Sequence, residues 1–260
     1  MSGPVTRHLP AARRLPVTGG LLAASGVLSL VGYAILGTQF GWPAVLDEPG
    51  TSALDAFVEA EQWVRAGFYV FLLSSLVLIP AAVGVQDGLT RGQTAARAIT
   101  AFGVLGAFAQ MLGWVRWPIT VPGLADRWTD PAAGEADLAA TAAVYDLVNG
   151  YAGGALGEHL GWLLQGIWAV GVSLFVLRAR GLPRWFAVVG VALSVAWAVL
   201  VPVATAFGQP TLEFWSLNVY TAWYLWLLAL GVLLALRRVG PPAEAPSTTR
   251  SGRRPAGTPA

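Results

Sequence analysis

Residues 156–178 read LGEHLGWLLQGIWAVGVSLFVLR, and from Leu160 to Leu177 no side chain is charged. A bilayer has a hydrocarbon core of ~30 Å, which about 20 residues of helix cross. Inside it the backbone has no water to bond to, so an isolated apolar span must be α-helical. The stretch opens on an ionisable pair, Glu158 and His159, and closes on Arg178. It therefore reads as a membrane span with polar groups at its two ends.

Five more apolar runs of similar length flank it, at roughly 17–39, 62–85, 95–117, 184–206 and 214–237. Over all 260 residues, 55% are hydrophobic and 12% charged, where a soluble domain carries about 25% charged residues. The mean hydropathy is +0.60. A water-soluble globule of this composition would expose far more apolar surface than water tolerates. The expected fold is all-α, a polytopic bundle of six transmembrane helices, with the lipid bilayer as its first partner. The expected organisation is a cytoplasmic arm at 1–16, the transmembrane domain at 17–237, and a Pro-, Ser- and Arg-rich disordered cytoplasmic tail at 238–260.

The first run follows Arg13 and Arg14, as a signal peptide's apolar core would, but it exceeds the usual 7–15 residues of such a core. No convincing small-x-small cleavage site follows, so it reads as a retained helix. There is no Cys, which excludes disulfides, thiolate metal sites and a cysteine nucleophile. Every one of the sixteen basic residues is Arg, and the formal net charge is +2. These Arg stand in short separate clusters between apolar runs, which speaks against a nucleic-acid surface.

The clusters instead set an orientation. With the N-terminus inside, thirteen of the sixteen Arg are cytoplasmic, including Arg13, Arg14, Arg97, Arg178, Arg180, Arg184, Arg237 and Arg238. Only Arg65, Arg116 and Arg127 fall outside, together with twelve of the fourteen acids. The positive-inside rule then predicts both termini in the cytoplasm of a cell-membrane protein. The cytoplasmic turns are short, and Pro183 suits the first turn of helix five. Two outer connections are long. Residues 40–61 are acidic, and 118–155 include a helical extracytoplasmic segment, Pro131–Tyr151, which Asp130 can cap with Pro131 at its first position. Pro80 in helix two and Pro202 in helix five, with Gln86 and Gln209 following, allow an inverted repeat of two three-helix halves, a transporter plan.

An ionisable residue at membrane depth is costly and therefore a candidate site. The cytoplasmic half has almost none, and the outer half has several. At an α-helical pitch Tyr151, Glu158, Trp162 and Gln165 share one face, while Gly153, Gly157 and Gly161 form a small-residue stripe for close helix approach. Glu158 reads as a proton carrier or ligand group with His159 beside it. The alternative is a helix start, where a carboxylate suits the macrodipole. Helix three ends on Gln110, Trp114, Arg116 and Trp117. Arg116 is either a snorkelling anchor or the partner of Glu158, Asp146 or an anionic substrate group. Asp146, Asn149 and Gly153 share a face that either extends the site or meets water. Glu213, Tyr220 and Tyr224 share a face of helix six. All six Tyr and seven Trp map to the outer half. The sequence thus proposes Glu158, His159 and Arg116 as catalytic candidates, and Asp146, Tyr151, Trp114, Trp117, Trp162, Gln165 and Gln110 as ligand-binding candidates. No P-loop, dinucleotide fingerprint, HExxH or GxSxG occurs, and neither cofactor nor metal is expected.

Arg116-Trp117, Val121-Pro122-Gly123-Leu124-Ala125, Gly157-Glu158-His159-Leu160-Gly161 and Gly181-Leu182-Pro183-Arg184-Trp185 resemble a family of bacterial six-helix integral membrane proteins, domain of unknown function 4386, over roughly residues 17–237. The resemblance implies fold and membrane location, and no reaction. Three functions follow from the residues. The first is an outward-opening aromatic and polar pocket that binds or transforms a lipophilic small molecule. The second is a secondary transporter or proton-coupled carrier, and the third a structural or accessory membrane subunit.

Overall fold

The computed structural model describes residues 12–90, 94–207 and 210–241. Arg7, His8, Arg91, Gln209, Glu244, Arg250, Arg253 and Arg254 lie outside the described residues, as do the side chains of Pro202, Glu213 and Trp215. Nine α-helices are described: α1 (Pro16–Gln39), α2 (Gly50–Leu89), α3 (Thr94–Trp114), α4 (Arg116–Ile119), α5 (Val121–Trp128), α6 (Glu135–Val148), α7 (Gly161–Arg178), α8 (Arg184–Phe207) and α9 (Pro210–Leu236). A 3-10 turn at Ala44–Asp47 precedes α2, and a π-helical segment, Asn149–Leu160, joins α6 to α7.

Five helical stretches are long and apolar enough to cross a membrane: Pro16–Gln39, Gly50–Leu89, Thr94–Trp128, Glu135–Arg178 and Asn218–Leu236. The fifth expected run contains a shorter apolar helix, Arg184–Leu200. The six long helices form a closed ring in which each packs on its neighbour in the chain and α9 returns onto α1. Small residues make these seams. Gly19 of α1 lies against the backbone of Gly231 and Ala235 in α9, and a Cβ on Gly166 of α7 would stand 2.7 Å from the Cα of Ala198 in α8. Between apolar helices in lipid, such close approach replaces the hydrophobic drive available in water.

At one end of the ring three parts of the chain are tied together. Arg13 and Val239 exchange backbone bonds of 2.9 Å, and Arg180 N–H donates to Gly240 O at 2.9 Å. Gly181 takes φ +91 there, with the carbonyl of Arg238 where a Cβ would stand. Leu15 also packs against Gly88. The start of α1, the end of α2, the α7–α8 turn and the end of α9 thus share one end, with their Arg residues. The 3-10 turn, α4, α5, α6 and the π segment occupy the other.

Several expected boundaries move. Residues 50–61, expected as part of a loop, are the first turns of α2, because Ala53, Leu54 and Phe57 give them a buried face; the helix kinks at Ala60. Asp130 caps a turn rather than a helix. Its carboxylate accepts from Ala132 N–H at 2.9 Å, and α6 begins at Glu135, where Asp137 accepts from Gly134 N–H at 3.1 Å. Pro183 sits just before α8 and its carbonyl accepts from Ala187 N–H at 3.3 Å.

Candidate functional site

The π segment reads NGYAGGALGEHL. Four glycines in twelve residues weaken its α preference. The wider turn closes i→i+5 bonds, as from Gly161 N–H to Leu156 O. In that register Gly153 and Glu158 stand one turn apart on the face toward α3 and α4. Gly153 packs directly on the Arg116 guanidinium, and a Cβ built on Gly157 would stand 2.9 Å from the Gly113 Cα. The glycine stripe therefore brings a backbone, not side chains, against Arg116.

Arg116 is 3% exposed. Its Nη1 donates to Gly113 O at 2.6 Å, and its Nη2 donates to Asn149 Oδ1 at 2.8 Å. Its Cζ lies 5.2 Å from the centroid of Trp117. Neither acceptor is charged. A direct ion pair stands elsewhere, between Glu61 and Arg65, 2.9 Å apart on the surface of α2. Glu158 and Tyr145 act on Arg116 through space, and Asp47 acts on Glu158. A buried guanidinium without a carboxylate in contact is costly.

Three donors around this charge have no acceptor among the described residues: Arg116 Nε, Trp117 Nε1 and the Tyr145 hydroxyl. Trp117 is fully buried and Tyr145 is 2% exposed, with ring centroids 6.1 Å apart. Buried donors are normally satisfied, and three in one corner leave it short of acceptors among the described residues. The 3-10 turn covers it: Asn149 Nδ2 donates to Leu46 O at 3.3 Å. Asp47, at the end of that turn, has its carboxyl held above the ordinary range, by burial first and by Glu48 second.

Deeper in the ring a second polar set crosses four helices. Ser75 of α2 donates to Gln110 Oε1 at 3.2 Å, Gln110 Nε2 donates to Gln165 Oε1, and Gln165 Nε2 donates to the Tyr224 hydroxyl at 3.2 Å. Farther along, Ser173 and Ser194 share a 2.9 Å bond and Trp223 Nε1 donates to Ser194 at 3.2 Å.

The sequence candidates therefore divide. Arg116 and Trp117 meet at one corner of the ring, where Glu158 acts on Arg116 through space, and half-buried His159 follows Glu158 on the π segment. Gln110 and Gln165 belong to the inner chain. Trp114 stacks on Phe71 at 5.1 Å, and Trp162 packs edge-on against Trp197 at 6.1 Å. Tyr151 is 63% exposed; it leaves the expected common face because the π register rotates it away. Asp146 is exposed and sits against Gly50 at the start of α2, not against Arg116. The aromatic rings fill space against one another. Two clefts, of about 330 and 420 Å³, lie elsewhere, one between α5 and α6 beside Arg127 and Asp137, the other beside Gln39, Glu59 and Trp63. Tyr145 and Asp47 carried no distinguishing pattern, whereas Asn149 was legible through its spacing to Gly153.

Over residues 17–233 the chain matches the family described as Domain of unknown function (DUF4386), and it belongs to that family. No curated protein and no solved structure matches it.

Proposed function

We propose that this DUF4386 protein is a six-span cell-membrane protein, with both termini in the cytoplasm, that binds a lipophilic molecule through its anionic head at Arg116. The observation that carries this reading is the buried guanidinium, bonded only to neutral acceptors, with three unpartnered donors around it. A carboxylate, sulfonate or phosphate group supplies the acceptors this corner lacks and a negative charge in direct contact, and Arg presents several donors to such a group at once. The approach is from the end of the ring that carries the π segment, where Glu158 is half-buried. A carrier is the second reading. It is favoured by the polar groups that continue inward from this corner through Gln110, Gln165 and Tyr224 to Ser173 and Ser194.

The test is binding of octanesulfonate to the purified protein in a neutral detergent, followed by tryptophan fluorescence. Methanesulfonate and octanol serve as the head-only and tail-only probes. Octanesulfonate should bind more tightly than either, and Arg116→Gln should weaken it at least about tenfold, the share of one charge-assisted contact. Equal affinity for octanol and octanesulfonate, or an unchanged affinity in Arg116→Gln, would overturn the reading. Methanesulfonate binding as tightly as octanesulfonate would make the ligand a free oxyanion rather than an amphiphile.

A further inference from the structure

Arg116 has one charged competitor already in place. The π register sets Glu158 one turn from Gly153, whose Cα side faces the guanidinium, yet the carboxylate is not in ion-pair contact with it, and Gly113 O and Asn149 Oδ1 take the two terminal nitrogens. Among the described residues the charged and titratable groups around Glu158 are few. From α4 comes Arg116, from the 3-10 turn Asp47, and from α6 Tyr145 with the exposed Asp146 behind it; His159 is its neighbour on the same segment. The ionisable residues of α3, α7 and α8 are Arg97, Arg178 and Arg184, and each stands within the first or last turn at the opposite end of its helix. Among the described residues one guanidinium therefore stands near one carboxylate, Glu158, with the exposed Asp47 beyond it, and an arriving anion adds a further negative charge.

We infer that Glu158 and the bound anion are alternative partners of Arg116, so that filling the site takes up one proton. This rests on the binding reading above. In the empty state the Glu158 carboxylate balances Arg116 through space. On binding, the oxyanion oxygens take the Arg116 Nε, Trp117 Nε1 and Tyr145 O–H donors, and a proton from solution attaches to a carboxylate oxygen of Glu158. One anion and one proton enter together, so the net charge of the corner does not change. The site thus favours its ligand in acid and releases it as the pH rises, a pattern suited to loading or unloading across a proton gradient.

The experiment uses the full chain in neutral detergent with octanesulfonate, which stays anionic at every pH used, so that any pH dependence belongs to the protein. The dissociation constant should rise with pH, approaching about tenfold per pH unit, the limit for one linked proton. In weakly buffered solution, one proton should disappear for each octanesulfonate bound. Glu158→Gln should bind at all pH values as tightly as the wild type does in acid, with no proton uptake, whereas Asp47→Asn should keep the slope. Arg116-dependent binding with a flat pH profile and no proton uptake overturns the coupling and leaves the binding site standing. Absence of octanesulfonate binding at every pH overturns both. A slope that persists in Glu158→Gln, or vanishes in Asp47→Asn, overturns the assignment to Glu158. Should Glu158→Gln not fold, the proton count on the wild type decides alone.

Discussion

Arg116 is intelligible only with the glycine facing it. A methyl group at Gly153 would occupy the place of the guanidinium, and overfilling a fitted site costs about 1–3 kcal/mol. Gly153→Ala should therefore lower the melting temperature and weaken octanesulfonate binding together, because the guanidinium must leave Asn149. Gly154, one residue on, has open space where its Cβ would stand, so Gly154→Ala should leave both measurements unchanged. Equal behaviour of the two variants would show that the guanidinium is not held by this contact. From the sequence, Gly153 was visible as a member of a small-residue stripe. Its duty toward Arg116 was not, because spacing along one helix carries no information about which side chain stands on the next.

The π segment and the inner polar chain act at the scale of elements. Closing i→i+5 instead of i→i+4 changes which residues share a face, and this is why Tyr151 points outward while Glu158 keeps its place near Arg116. Glycines at 150, 153, 154 and 157 lower the α preference of this segment, yet from the sequence it reads at an α-helical pitch; the π register accompanies its close packing on α3, with Gly157 against Gly113. Gln110 and Gln165 tie α2, α3, α7 and α9 into one unit. Removing one of two bonded partners leaves the other buried and unsatisfied, at about 1–3 kcal/mol, although between helices in a membrane the coupling averages about 0.6 kcal/mol. Gln110→Leu and Gln165→Leu should each destabilise the protein in a denaturant titration, and the double variant should cost less than their sum. Strict additivity would mean that the two amides do not cooperate.

For the whole molecule, the ring brings every described Arg cluster of the turns and termini to one end and the extra helices to the other. In the proposed topology the Arg end is cytoplasmic. The chain contains no Cys, so single cysteines report sidedness directly: Asp137→Cys should be labelled by an impermeant maleimide on intact cells, and Arg184→Cys only after permeabilisation. The reverse pattern would invert the orientation and move the Arg116 corner to the cytoplasmic face. Composition and the lengths of the apolar runs were enough to establish an all-helical chain with membrane-length segments, because the burial of backbone polar groups in an apolar solvent admits little else. The charge clusters likewise foretold which turns would gather at one end. Only the tertiary structure decided that α9 closes the ring on α1, that residues 50–61 continue a helix, and that Asn149 and Tyr145 join Arg116 while Tyr151 and Asp146 do not. Those outcomes depend on contacts between residues far apart in the chain and on one change of helical register, and neither is written in the local pattern of apolar and polar residues.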